Sequence, residues 1–288
     1  MSTVPATENS TFVIGGDLTV NRLGFGAMRI TGDGIWGEPK DPRAAVAVLR
    51  RAVELGVNFI DTADSYGPEV SERLIAEALH PYPKGLVIAT KAGLTRRGPD
   101  RWEPVGRPEY LWQCLEMSLR RLRLDRIDLY QLHRIDPKVP MEESLGALKE
   151  MQAAGKIRHI GLSEVSVAEI QKARKIVPVV SVQNLYNLSN RKHEDVLNYC
   201  DKEGIAFIPW FPVASGSLAK PASPLHKIAK AHNATAAQLS VAWLLHRSPV
   251  ILPIPGTSTV AHLEENVGAA AITLSAKEWK EIEDAARA

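Results

Sequence analysis

Val57-Asn58-Phe59-Ile60-Asp61-Thr62-Ala63-Asp64-Ser65-Tyr66-Gly67 is an apolar run that ends in a carboxylate, with a phenol five residues further on. Val, Phe and Ile in succession read as a buried strand, and an aspartate at its carboxyl end stands where parallel α/β folds collect their chemistry. Tyr66 then falls in the loop beyond the strand, ahead of a helix that begins near Glu69. Taken alone, such an Asp caps a turn and such a Tyr fills a core. What the pair means depends on what the rest of the chain brings to the same place.

Outward from this stretch the same unit repeats. Residues 23–26 read as a strand before it, and Asp41 with Pro42 supplies a cap and first-turn proline for a helix to about residue 55. After it come strands at 86–91, 127–133, 157–163, 179–184, 205–210 and 250–254. Helices are expected at 69–79, 108–123, 141–154, 167–175, 192–203, 225–232, 235–246, 259–267 and 275–286. A long polar loop carrying Trp102 follows the third strand. Ahead of the first strand, two short apolar runs flank Gly15-Gly16-Asp17 and read as a hairpin over 11–21, a small lid on the main fold.

Eight strands alternating with helices are most simply accommodated by a closed (β/α)8 TIM barrel, with an N-terminal β-hairpin and an extra C-terminal helix. A doubly wound sheet is the alternative, but no G-x-G-x-x-G follows an early strand. Residues 1–10 read as a flexible N-terminus and 11–288 as a single domain that includes the hairpin. The length suits that reading, since barrels of about 250 residues form one domain.

Composition excludes several classes. The 35 basic and 33 acidic residues nearly cancel and no Lys/Arg block occurs, so nucleic acid is not an expected partner. No apolar run reaches membrane-spanning length and residues 1–9 lack a signal-peptide core, which points to a cytoplasmic protein with no membrane partner. Cys114 and Cys200 are far apart, without metal-ligand spacing, and read as two small buried thiols; no metal is expected.

A barrel brings its strand ends to one rim. There they would assemble Asp61 and Tyr66 from the second unit, Lys91 from the third, His133 from the fourth and Ser163 from the fifth. Gln183 and Asn184 would come from the sixth, Trp210 from the seventh, and Gly256-Thr257-Ser258 from the eighth. Cationic Lys91 beside Tyr66 would favour phenolate and lower its pKa, making the phenol a usable proton donor, with Asp61 holding the ammonium. His133 could donate to the oxygen that Tyr66 protonates. This suits hydride arriving at a carbonyl carbon while a proton reaches its oxygen, and the hydride would have to come from a nicotinamide. Trp210 offers that ring a flat face, and Gln183 offers its carboxamide an amide.

These residues resemble the aldo-keto reductases along nearly the whole chain, as a bacterial member with a short C-terminal loop. The resemblance rests on Leu23-Gly24-Phe25-Gly26, on Asn58 to Gly67 of the opening stretch, on Ile88-Ala89-Thr90-Lys91 and on Asp128-Leu129-Tyr130-Gln131-Leu132-His133. Gly161-Leu162-Ser163, Val182-Gln183-Asn184-Leu185-Tyr186-Asn187, Ile254-Pro255-Gly256-Thr257 and Glu265-Asn266 extend it. It implies an NAD(P)H-dependent reductase of aldehydes or ketones, with Asp61, Tyr66, Lys91 and His133 as catalytic tetrad and Tyr66 as the acid. Ser163 and Gln183 would bind the carboxamide, and Trp210 would stand in for the usual stacking tyrosine. Pro212, Ser217, Gly256, Thr257, Ser258, His262, Glu265 and Asn266 would hold the rest of the cofactor.

The chain departs from the family at three places. Glu164 stands where Asn often follows the serine, which removes one usual carboxamide donor. Gly256 and His262 stand where many members carry Lys and Arg for the 2′-phosphate; NADPH is expected from family habit, with NADH as the second option. Only the helix at 275–286 follows the last barrel unit, so the site should be open, walled by Met28, Trp36 and Trp102. The expected substrate is a small or aromatic aldehyde, pyridoxal among them, since pyridoxal reductases share a His-Arg-x-Asp-Pro stretch like that at 133–137, and the expected state is a monomer. The contrasting class is a catalytically weak NADP(H)-binding regulatory subunit on the same barrel, against which the intact tetrad argues.

Overall fold

The computed structural model describes residues 11–213 and 224–287. The N-terminal segment 1–10 lies outside the described residues, as does Ser217. The elements run β1 (Thr11–Ile14), β2 (Leu18–Asn21), β3 (Phe25–Gly26), α1 (Pro42–Glu54), β4 (Phe59–Asp61), α2 (Val70–Leu79), β5 (Val87–Ala92), β6 (Leu94–Arg96), β7 (Trp102–Pro104) and α3 (Pro108–Leu122). They continue with β8 (Ile127–Leu132), α4 (Met141–Ala153), β9 (Ile157–Ser163), α5 (Val167–Ala173), β10 (Val179–Gln183), α6 (Glu194–Glu203), β11 (Ala206–Phe207), α7 (Pro224–Ala231), α8 (Ala236–Arg247), α9 (Val260–Gly268) and α10 (Ala276–Arg287).

Local chemistry sets many of these boundaries. Asp41 accepts hydrogen bonds from the amides of Arg43 (2.9 Å) and Ala44 (3.0 Å), with Pro42 at the first turn of α1. Ser166 with Glu169, and Thr235 with Gln238, close capping boxes on α5 and α8. Helix α1 turns Val48, Leu49 and Ala52 inward against Leu74, Ile75 and Ile60. Truncating such a residue, Leu49 to Ala for example, costs about 2–5 kcal/mol.

Seven parallel strands form one sheet in the order β11-β10-β9-β8-β5-β4-β3. Segment 250–254 closes it into the (β/α)8 barrel. Phe207 donates to the Val250 carbonyl (2.8 Å), Leu252 to the Phe207 carbonyl (2.8 Å), and Gly24 to the Pro253 carbonyl (2.9 Å). The expected eighth strand is thus in place, but as an isolated bridge between Phe207 and Ile251 rather than a ladder. Pro253 and Pro255 have no N–H to give. Closure also needs glycine on the other side, because a Cβ on Gly26 would stand 2.6 Å from the Ile254 carbonyl oxygen.

The β1–β2 hairpin plugs the end of the barrel opposite the strand carboxyl ends. Ile14, Leu18 and Val20 pack with Phe59, Val87, Ala89 and Leu129 inside it. Asn58, just before β4, accepts from the Asn21 amide (2.6 Å) and donates to the Thr19 carbonyl (3.2 Å). The hairpin is therefore a floor, not a lid over the chemistry. The polar stretch after β5 is also more ordered than a loop: β6 and β7 pair antiparallel, Arg96 opposite Trp102. Helix α10 is clasped to the barrel through buried Glu283, which accepts from Trp243 Nε1 (2.9 Å) and Arg191 (2.6 Å). Among the described residues no helix is long and apolar enough to cross a membrane.

Candidate active site

Asp61 is the last residue of β4, and its register places it beside Ala89 of β5, two residues before Lys91. Lys91 in turn pairs with Gln131 of β8, Gln131 precedes His133 by two, and Ser163 pairs with Gln183 across β9 and β10. Residues two apart on a strand share a face, so these side chains all turn toward the barrel axis at its carboxyl end.

At the centre Lys91 is fully buried, and its Nζ donates to Asp61 Oδ1 (2.6 Å) and to the Thr62 carbonyl (2.8 Å), with Tyr66 Oη at 3.5 Å. The other Asp61 oxygen accepts from the amides of Gln131 (3.0 Å) and Gln183 (2.9 Å). Asp61 is thus a hub with both oxygens satisfied, which a buried charge requires. Burial works against the Lys91 charge, but Asp61 and Tyr66 outweigh it and raise the ammonium's pKa, so it stays cationic.

Tyr66 behaves differently from the sequence-based expectation. Burial pushes its phenol pKa up and outweighs the opposing pull of Lys91, whose charge Asp61 already offsets. The phenol therefore keeps its proton at neutral pH. His133, which follows β8, is buried and held well below the ordinary histidine range by burial first and then by Lys91, Arg134 and Arg96. It is neutral, with Nδ1 at 3.3 Å from Ser65 Oγ. The Tyr66 ring meets the His133 ring (5.8 Å) and the Trp102 ring (6.3 Å) edge to face.

Asp61, Tyr66, Trp102 and His133 line a cavity of about 610 Å³, with Lys91 buried beneath. Of the expected wall residues, Met28 and Trp102 line it; Trp36 does not, and Ile35 takes its place. The reason is the turn at 32–37, where Gly32 donates to the Gly37 carbonyl (3.0 Å) and Gly37 to that of Gly67 (2.5 Å), leaving Trp36 37% exposed on the outside. Gln183, Trp210, Pro212 and Gly256 line the cavity as well. Trp210 is fixed by its Nε1, which donates to Glu164 Oε1 (2.6 Å), and Glu164 also accepts from the Leu185 amide (2.7 Å). Ser163 Oγ accepts from Arg134 (3.0 Å).

The remaining expected residues cluster around the start of α9. Thr257 Oγ1 accepts from the Thr259 amide (3.2 Å), Ser258 and His262 are exposed, Glu265 accepts from the Thr235 hydroxyl, and Asn266 is buried. None of these lines the cavity; Gly256 alone connects the eighth loop to it.

Sequence reasoning passed over four residues. Gln131 carried a usable signal, since it shares a strand face with His133. Arg29 and Arg134 both line the cavity; Arg134 was legible within the stretch 133–137 that resembles pyridoxal reductases, but not as a wall residue. Arg96 carried no signal. It donates to the carbonyls of Ile35 (2.7 Å), Ser65 (2.9 Å), Gly34 (2.9 Å), Gly98 (3.2 Å) and Arg101 (3.1 Å), and lies 3.5 Å from the Trp102 ring centroid. One guanidinium thus ties the 32–37 turn and the β6–β7 hairpin to the residue before Tyr66.

The aldo/keto reductase family model matches residues 22–287. An uncharacterized oxidoreductase of Schizosaccharomyces pombe is 57% identical over 283 residues, which are 98% of this chain and 92% of that protein. The pyridoxine 4-dehydrogenase of Escherichia coli is 44% identical over 275 residues, 93% of this chain and 95% of the relative. Among solved structures, an aldo-keto reductase of Klebsiella pneumoniae in complex with NADPH superposes with a TM-score of 0.81 at 27% identity, covering 96% of this chain and 94% of its own.

Proposed function

The chain belongs to the aldo/keto reductase family, and on that premise we propose that it reduces small aldehydes or ketones to alcohols with NADPH, Tyr66 acting as general acid. The observation that carries this reading is the buried Asp61–Lys91–Tyr66 cluster, with neutral His133 against the phenol, at the floor of the cavity.

The cavity fits a nicotinamide cofactor. The Trp210 indole is anchored by Glu164 at the wall, and Ser163 and Gln183 stand at adjacent strand ends with amide and hydroxyl groups. Arg29 lies at the rim beside Gly256, without a carboxylate partner among the described residues, and is the cation we assign to a cofactor phosphate. It supplies the basic group that Gly256 and His262 lack. The NADPH complex of the Klebsiella relative supports the same choice of cofactor.

When bound, the nicotinamide supplies hydride, which no side chain can. The protein's own part is the proton. Tyr66 gives its hydroxyl proton to the carbonyl oxygen as that oxygen gains negative charge, and Lys91 stabilises the phenolate left behind. Asp61 fixes Lys91 through its Oδ1, and the two glutamine amides fix Asp61. His133, neutral and with Ser65 at Nδ1, offers Nε2–H as a second donor to the same oxygen. Met28 and Trp102 provide apolar walls for a flat substrate. The Escherichia coli relative acts on pyridoxine, which supports an aromatic aldehyde such as pyridoxal as substrate.

Steady-state consumption of NADPH and of NADH with pyridoxal and benzaldehyde tests the reading. Turnover that prefers NADPH supports it. Tight NADPH binding without turnover of any carbonyl compound would favour the regulatory subunit instead.

A further inference from the structure

Arg134 is the charged group in the cavity that neither the proton relay nor the assignment of Arg29 to a cofactor phosphate uses. It follows His133 directly, and both of its hydrogen bonds leave from Nη1, to the His133 carbonyl (2.6 Å) and to Ser163 Oγ (3.0 Å). Nε and Nη2 have no partner among the described residues, and no carboxylate there lies within ion-pair distance.

The nearby acids are committed elsewhere. Glu164, the acid that acts on Arg134, accepts from Trp210 and Leu185 at Oε1 and has His193 Nε2 3.7 Å from Oε2. Asp61 is saturated by Lys91, Gln131 and Gln183. His133, held neutral, neither adds to nor offsets the charge. A guanidinium with one edge bound and the other edge open presents a planar two-donor fork, which matches an oxyanion of a flat molecule. Leu94, Trp102, Pro104 and Phe211 supply the apolar remainder of the wall.

We propose that Arg134 is the specificity-determining cation of this cavity, selecting aromatic aldehydes that carry an anionic oxygen, either a carboxylate or an ionised phenol. The proposal rests on the reading of the cavity as a carbonyl reductase's substrate site, and it adds the substrate class. Nε and Nη2 donate to the anion, while Nη1 keeps its hold on Ser163 and the His133 carbonyl.

The test compares kcat/KM for 3- and 4-formylbenzoate with that for their neutral methyl esters, and for salicylaldehyde, above the pKa of its phenol, with 2-methoxybenzaldehyde. The wild type should favour at least one charged substrate over its neutral partner by about tenfold or more, and the arm that shows the preference names the anion. Arg134→Met should bring that ratio close to one, mainly through KM, and Arg134→Lys should keep part of it. A wild-type ratio near one in both arms overturns the proposal and requires no variant. An unchanged ratio in Arg134→Met, with charged and neutral aldehydes losing rate alike, also overturns it and leaves Arg134 as a clamp on Ser163. If NADPH affinity falls while the ratio holds, Arg134 serves the cofactor and the proposal fails. Turnover of the neutral aldehydes alone overturns only this inference, whereas no turnover of any aldehyde overturns the reductase reading and the inference with it.

Discussion

Lys91 cannot be understood without Asp61, nor Asp61 without its two glutamines. Removing the ammonium by Lys91→Met leaves a buried carboxylate held only by amides, which should cost about 3–5 kcal/mol of stability. Asp61→Asn combined with Lys91→Met should cost less than the two single losses added, because each partner makes the other expensive to strand. Urea denaturation of the three variants measures the difference. A second buried acid, Asp64, has its pKa pushed up to about 7, first by burial and then by Glu72. The folded value exceeds the ordinary 3.8, so the stabilisation from its protonated form is complete below 3.8 and is lost as pH rises to about 7. Asp64→Asn, which stays neutral, should therefore gain stability over the wild type between pH 5 and pH 8. Denaturation midpoints at the two pH values check the sign, and an unchanged difference would show that Asp64 does not titrate in this range.

At the scale of elements, the loops above β4 and β5 depend on Arg96. It draws the 32–37 turn, the β6–β7 hairpin and the Ser65 carbonyl to one point, one residue from the Tyr66 phenol. Arg96→Met should cost on the order of 3 kcal/mol, lower kcat as well as raise KM, and alter the fluorescence of Trp102, on whose ring the guanidinium lies. A change in KM alone would confine Arg96 to substrate binding. Strand β3 makes a comparable demand at Gly26, where a Cβ would meet the Ile254 carbonyl. Gly26→Ala should lose about 1–3 kcal/mol through overpacking at the seam of the barrel, read as a lowered thermal midpoint. Phe211 adds local strain of about 1–2 kcal/mol at the cavity wall, being a non-glycine at φ +58.

Across the whole molecule, what could be read in advance was whatever one dimension encodes. Asp61, Lys91 and His133 each sit at or beside the end of an apolar run, and barrel closure alone brings strand ends together. Their meeting with Tyr66 therefore followed from the alternation of elements. The eighth strand was legible as a path but not as a ladder, because Pro253 within it and Pro255 just after it remove donors without changing its hydropathy. The roles of Arg96 and Arg134 in the site were illegible for a different reason. Their partners are backbone carbonyls and a serine hydroxyl, and no residue pattern marks a carbonyl that awaits a donor. Trp36 misled because a loop aromatic carries no record of which side of its turn faces the cavity. The proton affinity of Tyr66 also depends on depth, and a sequence lists charges without their burial.

If NADPH binds the folded barrel and not the unfolded chain, a hundredfold excess over its Kd should raise stability by about 2.7 kcal/mol, and an equal concentration of NADH should raise it less. The most direct measurement pairs turnover with cofactor affinity in the wild type and in Tyr66→Phe, using NADPH and an aromatic aldehyde. The expected result is a fall in kcat of about 10²–10⁴-fold, with NADPH affinity within about twofold of the wild type, because only the proton donor has been removed. Full turnover in Tyr66→Phe would contradict the assignment of the acid and, with it, the role given to the Asp61–Lys91 pair beneath it.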